Sequence, residues 1–413
     1  MNNTQGTSTK LNRITAGILT VAFLGFIFVA FFVMLAQSHP ALLQSVLMTT
    51  KLKRTLPEHP TKLDRLSARI NSFTAAAADN MWLKDEMGYL NSGFQYALGK
   101  KVINTGSQNM ITLTTGHLYD LADYKSLQAN AEEIVQLRET TLKGIPFLFV
   151  YEHPTLYDAA MLPAGYEALD HSAQMADEAL SILRQGGVPV LDSRDELTAC
   201  GRDLNDLLMV TDQHWSTLAA ITMAQGIARE LNDLTGASLD TSLLDLDRLN
   251  TLTHEKLFLG KYGQRIGPAF VEPDDIVEYW PLYDTEISRE TVRVSSFESA
   301  EGSFREVVTR SDRLEPDPGK TWNKVAYTYY GHVESYDLLT NEAAPDYTIL
   351  LLKDSYSAPI GRFMSLLARR MVCVDLRQDV EPLEWWVEQY QPDAVVMAYS
   401  MQMLRDDEYE FGG

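Results

Sequence analysis

The chain has 413 residues, 45% hydrophobic and 22% charged, a balance that supports a folded core and excludes wholesale disorder. Its net charge of −21 repels a phosphate backbone, which excludes nucleic acid as a partner class. Two cysteines, Cys200 and Cys373, supply neither a disulfide framework nor CxxC metal spacing, and Cys373 in "MVCVDL" reads as a buried strand residue.

Residues 14–36, "ITAGILTVAFLGFIFVAFFVMLA", contain no charge. As a helix this run spans roughly 35 Å, enough to cross a bilayer core. A cleaved signal peptide is the competing reading, but its apolar region is shorter and no small-x-small site follows at "QSHPALLQ". Lys10 and Arg13 precede the span, which predicts a cytoplasmic tail over 1–13, a transmembrane anchor over 14–36 and a body outside the cytoplasmic membrane. Residues 37–75 read as a basic-leaning stalk, and 76–413 as the extracytoplasmic domain.

Within the body, "GIPFLFVYEHP" (144–154) has the continuous apolar core of a strand buried on both faces. Residues 172–187 carry apolar positions at helical spacing and end in glycine, and "VPVLDS" (188–193) reads as a strand. "TDQHWS" (211–216) then precedes an amphipathic helix over 216–234. Residues 235–345 contain "DDIVEYWPLY" and "ETVRVSSFES", which suggest antiparallel strands or a long mixed insertion. The last third alternates cleanly: strand 347–352, helix 357–369, strand 371–376, helix 382–391, strand 393–400. That alternation predicts an α/β fold, a parallel sheet flanked by helices.

Ligands of open parallel sheets bind beyond the carboxyl ends of the strands. Those ends deliver Glu152 and His153, Asp192, the run Lys353–Asp354–Ser355–Tyr356, then Asp375 and Arg377, and finally Tyr399 and Ser400. In "LLLKDSYSAPIG" a serine on a tight strand-to-helix turn exposes its hydroxyl, and the following N–H groups are available to an oxyanion. The same letters also suit Asp354 or Ser355 as a plain helix cap. A serine hydroxyl needs a base to become a nucleophile. If 211–214 is extended, Asp212 and His214 point to one side, and the carboxylate can orient the imidazole toward Ser355. Trp215 either shields such a site or is ordinary core. His153 is the main rival base and His332 a weaker one; His39, His59, His117, His171 and His254 read as structural or solvated. No HExxH, HxxxH or clustered His/Cys pattern occurs, so neither metal nor cofactor is expected.

Taken together, these residues resemble the SGNH hydrolase-like proteins of the alginate O-acetyltransferase type, and especially the DHHW group. The Asp-His-His-Trp signature appears as Asp212-Gln213-His214-Trp215, and "LLLKDSYS" is similar to the serine block. "VDLR", "PDAVVMAYS", "FVYEHPTLYDAAMLP" and "FLGKYGQRIG" are similar to further family segments, so the resemblance covers roughly residues 80–405. It implies an SGNH-like fold and O-acetyltransferase or esterase chemistry on extracytoplasmic polysaccharide. Ser355 would be the nucleophile, His214 the base then acid, and Asp212 its orienter. A multi-spanning membrane O-acyltransferase partner is implied as the acetyl source. The glycine and asparagine oxyanion blocks of ordinary SGNH esterases have no clear counterpart; the Ser355 N–H, Tyr330 and Asn341 stand in as candidates. Lys353, Tyr356, Arg377 and His153 complete the set of expected substrate-side residues. The rival readings are a polysaccharide O-acetylesterase with the same triad, and a non-catalytic glycan-binding or scaffold subunit of an export assembly.

Overall fold

The structure is a computed structural model that describes residues 24–26, 28, 29, 32, 84–105, 108–293, 296–331, 335–378 and 380–406. The expected tail, stalk and nearly all of the 14–36 span lie outside the described residues, as does His332. Among the described residues no helix is long and apolar enough to cross a membrane. The chain divides into a unit over 1–91 and a unit over 92–413, and the second carries everything that follows.

Three short strands, β1 (Val102–Asn104), β2 (Asn109–Thr112) and β3 (Leu118–Asp120), form an antiparallel sheet of their own. The main sheet begins after helix α1 (Gln128–Glu139) with β4 (Phe147–Glu152), followed by helix α2 (Ser172–Gln185) and β5 (Val190–Asp192). Helix α3 (Thr217–Thr235) comes next. Ser216 caps its first turn by accepting from the Ala219 N–H, and Gly236 ends it at φ 73°, a left-handed conformation that glycine adopts without steric cost.

Among the described strands of 235–345, β6 (Leu249–Phe258) and β7 (Asp274–Pro281) stand apart, as a two-stranded antiparallel sheet joined through the short helix α4 (Lys261–Ile266). β8 (Ile287–Arg293), β9 (Ser296–Gly302) and β10 (Tyr336–Thr340) instead extend the main sheet. The chain then runs through β11 (Thr348–Lys353), helix α5 (Ala358–Met364), β12 (Arg370–Val374), helix α6 (Leu383–Tyr390) and β13 (Ala394–Ser400).

The eight strands lie in the order β5-β4-β13-β11-β12-β10-β8-β9. The first five are parallel and the last three antiparallel to their neighbours. Every residue of β4, β11 and β13 is buried, which is why they read as unbroken apolar runs rather than alternating ones. α3 and α5 pack on one face with Val150, Leu351 and Val396. α1, α2 and α6 pack on the other with Phe149, Leu350 and Met397. The register aligns Ser400 with Glu152, and Leu352 with both Val374 and Met397, so the carboxyl ends of four central strands finish side by side. A buried ion pair fastens α5 to β10: Arg362 donates to Asp337 at 2.7 Å and to the Tyr330 carbonyl at 2.8 Å.

Candidate active site

Ser355 stands on the turn between β11 and α5. That turn is tied down by its own side chains: Asp354 accepts from the N–H of Tyr356 at 2.8 Å and from the N–H of Ser400 at 2.9 Å. Ser357 Oγ accepts from the Asp354 N–H at 3.2 Å and donates to the Ala398 carbonyl at 3.0 Å. Neither Asp354 nor Ser355 caps α5, whose N-cap is Ser357 without a side-chain bond to the helix. The Ser355 hydroxyl is left for a different partner.

That partner comes from a loop 141 residues earlier in the chain. His214 Nε2 lies 2.9 Å from Ser355 Oγ, and His214 Nδ1 lies 2.5 Å from Asp212 Oδ1. With the Nδ1 proton given to the carboxylate, Nε2 is the nitrogen that can accept the serine proton. The loop is a tight turn rather than the expected extended segment. Asp212 Oδ1 also accepts the His214 backbone N–H at 3.1 Å, a local side-chain turn that brings residues two apart together by folding the backbone. The other oxygen, Oδ2, accepts from the Lys261 N–H at 2.6 Å. Burial alone would raise the Asp212 pKa, but the adjacent His214 ring and these N–H donors hold it below the ordinary aspartate value.

Several residues brace the loop without any signal in the local sequence. Asp274, at the start of β7, accepts from Val210 N at 2.7 Å, Thr211 N at 2.9 Å and Thr211 Oγ1 at 2.5 Å. From the start of α4, Gly260 N donates to Thr211 Oγ1 at 2.8 Å and Gly263 N to the Thr211 carbonyl at 2.9 Å. Tyr327 stacks on the imidazole, ring centres 4.3 Å apart at 21°. Tyr327 sits in a short helical turn of a tyrosine-rich run, and only the tertiary fold distinguishes it from its neighbours Tyr329 and Tyr330. The two halves of the site are also joined directly. Trp215 Nε1 donates to the Tyr356 carbonyl at 2.9 Å, and the Tyr356 hydroxyl donates to the Gln213 carbonyl at 2.6 Å. A cleft of about 220 Å³ opens beside them, lined by Pro154, Gln213, Lys261, Tyr262, Tyr356 and Ser400.

The remaining expected residues divide sharply. Tyr356 belongs to the site, with its ring 4.8 Å from His214, but its hydroxyl is engaged as a brace. Tyr330 is not an oxyanion donor: it is buried, with its hydroxyl bonded to the backbone of Tyr279. Asn341 is excluded by topology. It follows Thr340, which pairs with Arg370 at the amino end of β12, across the sheet from the Ser355 turn, and its amide donates to the Ser365 carbonyl. Arg377 grips Asp375 with two bonds of 2.8 and 2.7 Å. Lys353 is buried; burial would raise the Asp375 pKa, and the Arg377 bonds together with the Lys353 charge outweigh it and hold it down. His153 is no base. Burial drops its pKa to about 4, and its Nδ1 faces the Pro154 carbonyl at 2.6 Å. The Ser355 N–H has no hydrogen-bond partner among the described residues, which leaves it open to a developing oxyanion.

Residues 114–279, which include Asp212 and His214, match the family of SGNH hydrolase-like domains of the acetyltransferase AlgX. Among solved structures, a DHHW family protein from Eubacterium siraeum is similar at 16% identity and a TM-score of 0.56, over 75% of this chain and 95% of that one. Bacillus cereus PatB1, solved with a sulfonyl adduct, is similar at 15% identity and a TM-score of 0.60, over 75% of this chain and 100% of its own. These two likenesses are of fold. No curated protein matches the chain. The matched segment thus resembles an SGNH hydrolase-like acetyltransferase domain, and the chain shares its fold with a DHHW family protein and with PatB1.

Proposed function

We propose that the protein is a membrane-anchored, extracytoplasmic O-acetyltransferase that acts on a cell-surface or secreted polysaccharide through an acetyl-enzyme on Ser355. The observation that carries the reading is the chain of contacts Ser355 Oγ–His214 Nε2 and His214 Nδ1–Asp212 Oδ1 at 2.9 and 2.5 Å. In the first half-reaction His214 takes the hydroxyl proton as Oγ attacks the acetyl carbonyl. The oxyanion forms against the Ser355 N–H, and the imidazolium returns the proton to the leaving group. In the second, His214 takes the proton of a sugar hydroxyl, that oxygen attacks the acetyl carbonyl, and the serine leaves with the proton. Asp212 stays ionised throughout and stabilises the imidazolium. The uncharged run at 14–36 supports the anchor, and a multi-spanning O-acyltransferase would supply acetyl groups that one span cannot carry across a membrane.

An O-acetylesterase with the same residues shares the first half-reaction and differs only in water taking the second. The two separate when the protein is given an acetyl donor with and without a glycan acceptor. Transfer that rises with acceptor marks the transferase, and hydrolysis indifferent to acceptor marks the esterase. Ser355→Ala and His214→Ala should each lower turnover by several orders of magnitude, up to about 10⁶-fold. Near-normal acetylation with both variants would remove the mechanism and leave a glycan-binding or scaffold role.

A further inference from the structure

Beneath the Ser355 turn lies a cluster of ionisable groups that acyl transfer does not use. Glu152 ends β4, is fully buried and stands in register with Ser400 of β13. Neither of its carboxyl oxygens makes a hydrogen bond of normal geometry among the described residues, although the Asp354 carboxyl and the Ser357 hydroxyl lie beside it. Asp354 is equally buried and is the group that fastens the turn, through Tyr356 N and Ser400 N. Two like charges buried side by side are costly, which favours a neutral Glu152 beside Asp354.

The surrounding charges favour the same arrangement. From the turn after β12, Arg377 pulls toward ionisation, but its fork is engaged by Asp375. Lys353 at the end of β11 acts on Asp375 as well, and Tyr399 of β13 lies near Arg377. Burial, and then the charge of Asp354, push the Glu152 carboxyl well above its usual range against the pull of Arg377. The terminal torsion of a glutamate is soft, so its O–H is free to turn onto Asp354.

We propose that Glu152 is a positioning residue for the nucleophile: as the neutral member of a carboxyl pair it lends its proton to Asp354, and so holds that carboxylate against the Tyr356 and Ser400 N–H groups that fasten the Ser355 turn. The inference rests on the reading of Ser355 as nucleophile. It follows that ionising Glu152 sets two like charges together under the turn and loosens it.

The test uses full-length protein and an activated ester, 4-nitrophenyl acetate, with kcat and KM measured from about pH 6 to about pH 10. Glu152→Gln keeps an uncharged donor. Wild type should show an alkaline decline in kcat as Glu152 ionises; Glu152→Gln should retain kcat within about threefold at neutral pH and lose that decline. Glu152→Ala should lower kcat by about tenfold or more with KM within about twofold. An alkaline decline in Glu152→Gln that matches wild type, or a kcat loss as deep as that of Glu152→Ala, overturns the proposal. Thermal unfolding gives a readout independent of activity. A raised folded pKa stabilises at low pH and ceases to do so as pH rises through it, so the Tm of Glu152→Gln should gain on wild type with increasing pH; a constant difference overturns the proposal. Ser355→Ala distinguishes the two failures. If it stays active, the parent reading is at fault; if it is dead while Glu152→Gln behaves like wild type at all pH, only the positioning role is lost.

Discussion

Gly260→Ala measures how closely the acid end of the triad is fitted. The backbone of Gly260 is ordinary, at φ −67°, so the glycine is required by close approach and not by strain. A methyl carbon there would stand 2.3 Å from Asp212 Cβ, 2.6 Å from Asp212 Oδ2 and 2.6 Å from the Thr211 carbonyl oxygen. Reaching the 3.4 Å of ordinary contact requires the two segments to part by about 1.1 Å. The Lys261 N–H bond to Asp212 spans that same gap and would stretch or break. A displacement of about 1 Å in a catalytic group costs on the order of 10²-fold in rate. Overpacking of this kind costs about 1–3 kcal/mol in stability. The expected result is a kcat lowered about 10²-fold with KM little changed and a lower Tm, read from ester turnover and thermal unfolding of one preparation. A folded Gly260→Ala protein with kcat within about threefold of wild type would refute the claim that this spacing sets the orientation of Asp212.

Two further changes separate the chemistry from the scaffold. Asp212→Asn keeps the shape but takes away the charge that fixes the imidazole, so turnover should fall roughly 10⁴-fold while the fold persists. Because the Asp212 pKa is depressed, the stability it contributes is present above the ordinary aspartate range and lost as pH falls through the folded value; acid unfolding of the variant should therefore show less pH dependence than wild type. Arg362→Ala strips the charged partner from a fully buried carboxylate, Asp337, leaving it the Thr291 hydroxyl, and should cost about 3–5 kcal/mol in chemical denaturation. A loss under about 1 kcal/mol would mean that the pair is solvated in solution.

What the letters reveal follows from how each element is buried. β4, β11 and β13 are covered on both faces, and their apolar runs announce them; α3 shows both its cap and its glycine stop. The helix expected over 357–369 ends at Met364, because Ser365 turns back to the Arg362 carbonyl and the chain must tighten to enter β12 at Arg370. The region 235–345 resists reading for a physical reason: β9 is exposed along nearly its whole length, so no hydrophobic pattern marks it. β6 pairs with a strand some twenty residues on, across a helix. Asp212 and His214 are visible as a spaced pair, yet the turn that joins them is not, since a carboxylate folding back on its own backbone leaves the same letters as an extended one. Tyr330 and Asn341 illustrate the opposite error. A donor-bearing side chain says nothing of where it points, and both are consumed by backbone carbonyls away from the serine.

Tyr356 and Trp215 reach across to each other's strands of the site like two crossed stitches, each anchored on a main-chain carbonyl. Hydroxyl and imidazole are thus registered by the protein's own framework, and no sugar has to arrive to assemble them. An acetyl group loaded on such a serine is exposed from the start to whichever hydroxyl comes first. On the proposed reading, selection among acceptors would then rest on a race between sugar and water rather than on a switch that turns the chemistry on.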